Sequence, residues 1–286
     1  MADYLKTLAP LITIDGLTDI SSDSYTCLLH EDHRWVLPII VYAQQIGDLP
    51  APCDVIMFDA HDDGRIPDSI PVLAKARKAG LTVPAVIELC QKHLRELDDD
   101  WVKAGMELGL IRDIVIFGVE DQVGTEKLSE YKDHLGGSHK IRLAKFPNRG
   151  ALGFQRELSD LGKAFAHQDL WDLLGWVHDP ERGFGFAPGR EKVLLDFDLD
   201  TFLMVWRGHY FSWADKVFVK ELLEESHYIT TKGWTGQKFI QGLIGKAGLI
   251  TIARETEMCN GEGIIMDEIL ERLNRYVFDS RLNIKD

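Results

Sequence analysis

With 286 residues, of which 45% are hydrophobic and 27% charged, the chain has enough apolar material for one sizeable core, which excludes a disordered or fibrous class. Its formal net charge of −14 argues against a general nucleic-acid binder, because neutralising phosphates needs concentrated Lys and Arg. No linker, solenoid-length repeat or low-complexity tract divides it, so one domain over residues 1–286 is expected.

In chain order, the first β-like run is "LITI" at 11–14, followed by helix-compatible spacing in "WVLPIIVYAQQI" at 35–46, where Pro38 suits only an early turn. "VIMF" at 55–58 predicts a strand, and "VLAKARKAG" (72–80) and "AVIELCQKHLREL" (85–97) predict helices. "IVIFGV" at 114–119 is the next strand. From about Gly137 to Arg190 the chain is rich in Gly, Pro and aromatic residues, which predicts an elaborated loop region rather than a separate domain. "VLLDFDL" at 193–199 returns to strand, "WADKVFVKELLEE" at 213–225 to helix and "LITIA" at 249–253 to strand. The last segment, "DEILERLNRYVF" at 267–278, is the clearest amphipathic helix, with Ile269, Leu270, Leu273 and Val277 on one stripe. Strands alternating with helices predict an α/β chain with a mainly parallel sheet covered on both faces.

Cys27, Cys53, Cys90 and Cys259 are dispersed, without C-x-x-C spacing, so reduced buried thiols are expected rather than a disulfide scaffold. The N-terminal stretch lacks a basic region followed by a long apolar one, and no 18-residue apolar run occurs. The expectation is a cytoplasmic protein with neither nucleic-acid nor membrane partner. The sequence leaves the oligomeric state open, a homo-oligomer included.

Chemistry concentrates at two strand ends. In "VIMFDAHDDGR" an apolar run meets Asp59, His61 and Asp63, which share a face in extended chain, and in "VLLDFDLDTF" Asp196, Asp198 and Asp200 do the same. Carboxylates converging at the mouth of a buried sheet repel one another strongly unless protonated, dispersed or paired with cations. A divalent metal is the economical cation, and oxygen ligands with one or two imidazoles suit Mn²⁺ or Mg²⁺ better than structural zinc. The carboxyl ends of strands are also where open α/β sheets bind ligands. The competing reading is that each motif is a polar strand-to-loop transition whose acids cap the next helix. A third element, "HEDHRW" at 30–35, sets His33 just before a helical run.

These three motifs resemble those of the arginase and agmatinase superfamily, in family order across residues 30–202. "HEDHRW" is similar to the first family signature, "FDAHDD" to the second and "DFDLD" to the third. His30 and Glu31 stand where the family has paired glycines, and the loop after "DAHDD" is unlike the one that grips free arginine. With "ITIARETE", these departures make the chain look closer to the peptide arginases, which convert arginine side chains in a peptide to ornithine during maturation of ribosomally made natural products. The resemblance implies a three-layer α/β/α arginase-like fold, two Mn²⁺ per chain and an arginine-containing peptide as partner.

The implied metal ligands are His33, Asp59, His61, Asp63, Asp198 and Asp200, with Asp59 and Asp198 bridging. Asp196 then falls where the family has a small residue. The alternative register, Asp196 with Asp198, is left open by strand alternation because all three acids share a face. Asp63 is the implied residue orienting the nucleophile, and Glu255 the implied catalytic, substrate-binding partner of the guanidinium, with Glu257 as its alternative. No histidine is assigned as the proton shuttle: His93, His178 and His209 are candidates, but a structural role is the stronger reading of each. Other functions compatible with the same ligands are a ureohydrolase or amidohydrolase for a free small guanidino or acylated-amine substrate, and a metal-stabilised binding protein without turnover.

Overall fold

A computed structural model of the chain describes residues 8–14, 16–95, 99–118, 126–144, 176–179, 183–186, 192–206, 209–224, 236–259, 261 and 263–284. The described strands are β1 (Thr18–Asp19), β2 (Cys27–His30), β3 (Cys53–Phe58), β4 (Ile111–Phe117), β5 (Glu126–Lys132), β6 (Ser138–Ala144), β7 (Trp176–Asp179), β8 (Gly183–Phe186), β9 (Val193–Asp198), β10 (Leu203–Trp206), β11 (His209–Ser212) and β12 (Ala247–Ala253). The α-helices are α1 (Val36–Ile46), α2 (Ile70–Ala79), α3 (Val83–His93), α4 (Trp101–Leu108), α5 (Asp215–Phe218), α6 (Gly236–Lys246) and α7 (Gly263–Tyr276).

Eight strands form one sheet in the order β1-β2-β12-β9-β3-β4-β6-β5. Every pair from β2 through to β6 runs parallel, and only the outermost pairs, β1 with β2 and β5 with β6, are antiparallel. Alternate residues of the central strands enter two different cores. Ile56, Phe58, Leu195, Phe197, Ile250 and Ile252 pack with α6 and α7 residues such as Phe239, Leu243, Met266 and Leu273. Val55, Met57, Leu194 and Leu249 pack instead with residues of α1, α3 and α4. The chain is therefore an α/β protein whose mostly parallel sheet carries helices on both faces, consistent with three layers.

The expected strands at 55–58, 114–119, 193–199 and 249–253 correspond to β3, β4, β9 and β12. β9 stops at Asp198, since Asp198 Oδ1 accepts the Asp200 N–H at 3.0 Å and starts a 3-10 helix over Leu199–Phe202. The amphipathic C-terminal helix is α7, and Ile269, Leu270, Leu273 and Val277 are buried as the stripe required. Pro38 lies in the first turn of α1.

"LITI" at 11–14 is not a strand. Pro10 opens a 3-10 turn over Ala9–Leu11, and Leu8, Leu11 and Ile14 are buried at intervals of three, the 3-10 period, while Ile12 is 80% exposed. β2, "CLLH", takes the sheet position instead. The helix expected over 213–225 begins as α5 and continues as a π-helical turn over Val219–Leu223. The loop region expected from Gly137 to Arg190 includes β6 and the β7–β8 hairpin, while 145–175, 180–182 and 187–190 lie outside the described residues. Cys27, Cys53 and Cys90 are buried free thiols. No described helix is long and apolar enough to cross a membrane.

Candidate metal centre

β2, β12, β9 and β3 are consecutive neighbours in the sheet and all parallel, so their carboxyl ends open on one edge. That edge receives residues from four distant stretches: His33 after β2, Glu255 after β12, Asp198 and Asp200 at the end of β9, and Asp59, His61 and Asp63 after β3. The register aligns the ends, with Ala253 opposite both His30 and Asp198, and Phe58 opposite Phe197. This is the sheet edge at which α/β proteins bind ligands.

His33 is the hub. It is fully buried at the start of the 3-10 turn His33–Trp35. Its Nδ1 lies 3.0 Å from Asp63 Oδ2, 3.4 Å from Asp198 Oδ2, 3.5 Å from Asp59 Oδ2 and 3.9 Å from Glu255 Oε1. Its Nε2 lies 2.6 Å from Asp196 Oδ2 on the opposite side of the ring. The other oxygen of Asp196 accepts the Thr251 hydroxyl, from the facing position on β12. Asp196 thus serves His33 from behind and does not share the pocket in front of Nδ1.

His61 completes a second group. Its Nδ1 lies 3.0 Å from Asp200 Oδ2 and 3.7 Å from Asp59 Oδ1, and its backbone N–H donates to Asp59 Oδ1 at 2.7 Å. The ring is partly open to solvent, whereas Asp59, Asp198 and Asp200 are all buried. Asp63 is held by the indole N–H of Trp101, which donates to Asp63 Oδ2 at 2.6 Å while its ring packs 4.8 Å from His33.

The electrostatics of the metal-free cluster follow from crowding. Burial, then Asp63, Asp198 and Asp200, hold the Asp59 carboxyl well above its usual range. Burial and Asp200 push Asp198 up to about 7, and burial with Asp198 raises Glu255. Burial alone would lower His33, but Asp196 behind it and Asp198 and Asp63 in front hold it well above the usual imidazole value. Hydrogen bonding to Asp200 raises His61 to about 9, against the effect of burial.

These features fit a cation. His33 Nδ1 and Asp59 Oδ2 are buried and make no well-formed hydrogen bond, although oxygens crowd around the imidazole nitrogen. Asp196 accepting the Nε2 proton leaves the Nδ1 lone pair for a metal, the usual arrangement behind a ligating histidine. Among the described residues three groups have donor atoms close enough to share an ion: His33 with Asp59 and Asp63, His33 with Asp198 and Glu255, and Asp59 with His61 and Asp200. Oxygen and imidazole donors without thiolate suit a hard or borderline divalent ion.

All six sequence-derived ligands therefore lie in one cluster. Glu255 joins it, while Glu257 is exposed in the 3-10 turn Thr256–Cys259. His93 is exposed at the end of α3 and His209 is exposed at the start of β11, and neither is in a ligand group; the side chain of His178 lies outside the described residues. Trp101 and Thr251 escaped sequence reasoning, because an indole opening a helix and a threonine inside an apolar strand carry no local mark of what they touch. Backbone conformation would have flagged two positions. Asp63 (φ 41°) and Glu255 (φ 44°) are in the left-handed region, which costs a non-glycine residue about 1–3 kcal/mol and concentrates at functional sites.

A partly solvent-open carboxylate and imidazole cluster at the mouth of a parallel sheet defines a candidate metal centre in an α/β protein. In comparisons with known proteins, the chain matches no protein-family profile and no curated sequence.

Proposed function

We propose that the chain is a dimanganese hydrolase of the arginase-like class, acting on the guanidinium of an arginine held in a peptide, leaving ornithine and releasing urea. The observation that carries this reading is the convergence of His33, Asp59, Asp63 and Asp198 on one side and Asp59, His61 and Asp200 on the other, with the Glu255 carboxylate at their margin. His33, Asp59, Asp63 and Asp198 would hold one ion, and His61, Asp59, Asp198 and Asp200 the other. Bound there, the ions would offset the charge of the buried carboxylates and would lower the pKa of a nearby water toward neutrality.

The chain's own residues then have distinct tasks. Glu255 accepts two parallel N–H bonds from the planar guanidinium, a geometry that also orients the carbon for attack. Asp63, fixed by Trp101 through Oδ2, orients the attacking water. Addition of water to the guanidinium carbon gives a tetrahedral intermediate. Cleavage of its bond to the side-chain nitrogen, with proton transfer to that nitrogen, yields the ornithine amine and urea. The preference for a peptide draws on the loop after Asp63, whose sequence is unlike the one that grips free arginine and whose Arg65 and Ile66 are exposed.

The test is incubation of manganese-loaded protein with free arginine and with an arginine-containing peptide, measuring urea and peptide mass. Urea, an ornithine peptide and a higher kcat/KM for the peptide are expected. A higher kcat/KM for free arginine would withdraw the peptide assignment. Acetate or formamide from acylated amines would make it an amidohydrolase, and tight manganese binding without turnover of any guanidino compound would make it a binding protein.

A further inference from the structure

Glu255 occupies a strained conformation on a short connection, and something must hold it there. Parallel pairing of β12 with β2 ends at Ala253 and His30, but two more backbone bonds continue it: Arg254 N–H to His30 O at 2.8 Å and Glu255 N–H to Glu31 O at 3.0 Å. The Glu31 side chain then takes both neighbours of Glu255. Its Oε1 accepts from Arg254 Nη1 at 3.0 Å and its Oε2 from the Thr256 hydroxyl at 3.1 Å. Arg254 also donates through Nη2 to Asp267 of α7 at 2.7 Å, tying the connection to a packed helix. From the other side Gly16, at φ +67°, lies so close that a Cβ there would meet Glu31 Cγ at 2.4 Å, so the Glu31 stem is confined as well.

We propose that Glu31 is a positioning residue that, by bonding Arg254 and Thr256 on either side of Glu255, fixes the left-handed backbone that presents the Glu255 carboxylate to the metal centre. Glu31 stands two residues before His33, so one short segment supplies both a candidate ligand and the clamp on the residue facing it. The clamp's importance for catalysis rests on the guanidinium-binding role assigned to Glu255 above, whereas the clamp itself does not.

Two readouts on the intact, manganese-loaded chain separate those statements. The first is amide hydrogen exchange across 253–257 in Glu31→Ala, with Thr256→Val as the milder variant should Glu31→Ala fold poorly. Loss of a two-pronged carboxylate clamp should speed exchange of this segment by about tenfold in Glu31→Ala and by less in Thr256→Val, with manganese content unchanged. Wild-type exchange rates in both variants would overturn the proposal, as would equal acceleration throughout the sheet.

The second is affinity for the arginine peptide in Glu31→Ala, Glu255→Gln and the double variant. Non-additive losses, with the double variant no weaker than Glu255→Gln, are expected of a residue acting through Glu255. Additive losses would overturn the positioning role. Faster exchange in Glu31→Ala together with unchanged peptide affinity in Glu255→Gln would support the clamp and refute the guanidinium assignment.

Discussion

Exchanging Asp196 for asparagine and comparing it with Asp200→Asn tests the register of the third motif. Asp196 is fully buried, bonds His33 Nε2 at 2.6 Å and accepts from Thr251, so it touches the ligand and not the pocket. An asparagine can still accept from His33 through its carbonyl and donate to the Thr251 hydroxyl, so the tautomer survives and only the charge is lost. A hydrogen bond to a charged group contributes about 1.5–3 kcal/mol and a neutral one about 1, which leaves a deficit of about 0.5–2 kcal/mol. At about 1.4 kcal/mol per decade this weakens manganese at the His33 side by roughly tenfold, within the range of about 10–100-fold for residues behind a ligating histidine. Asp200→Asn removes the carboxylate charge that faces His61 at 3.0 Å and should abolish turnover. Calorimetric manganese titration of both variants, with urea release as a second readout, decides the matter. If Asp196→Asn loses metal altogether while Asp200→Asn binds it normally, the register and the account of Asp196 are both wrong.

Trp101→Phe removes the indole donor to Asp63 while keeping an aromatic ring beside His33, so manganese stoichiometry should hold while affinity falls about tenfold; wild-type affinity by titration would show that this bond does not position Asp63. With no metal bound, burial and Asp200 push Asp198 up to about 7, and burial with the neighbouring acids raises Asp59 above the usual carboxylate value of 3.8. Groups raised in the folded state contribute stability at low pH that is lost as pH climbs from their unfolded to their folded values, so the Tm of metal-free protein should fall between about pH 4 and 7, and manganese should restore it most at the upper end. A Tm that rises over that interval by calorimetry would contradict the crowding of acids described here. Gly248→Ala should destabilise the fold by about 3 kcal/mol or more, since a Cβ there would sit 2.1 Å from the Asp48 carbonyl oxygen; urea unfolding with an unchanged midpoint would refute this close approach.

Much of the cluster was legible because its candidate ligands sit where apolar runs break into acids. β3 and β9 announce their own ends, and sharing a face is a property of extended chain that needs no tertiary knowledge. Strand alternation left Asp196 or Asp200 open because what each faces is tertiary: β12 sets Thr251 opposite Asp196 and the 3-10 turn before α1 sets His33 against it, whereas Asp200 faces His61. "LITI" misled because a short apolar run does not reveal whether its period is two or three, and the burial of Leu11 and Ile14 follows the latter. β2 was hidden for the converse reason: four residues buried on both faces show no alternation at all. α4 went unread although it supplies Trp101, since it spans only eight residues between acids and a glycine. The β5–β6 hairpin at the sheet edge, with alternating charged residues, lacked the tight two-residue turn that marks hairpins locally.

The position of β12 has a consequence for biosynthesis. It lies between β2 and β9, so until residues 247–253 emerge from the ribosome those two strands have no direct partner in one another, and the ends carrying His33 and Asp198 stay apart. Pairings of such large sequence separation form late and slowly. The half of the cluster supplied by β3 and β9 can assemble earlier, because those strands pair directly. The order expected from these pairings brings Asp59, His61 and Asp200 together first and seats His33 among the acids only when β12 closes the sheet.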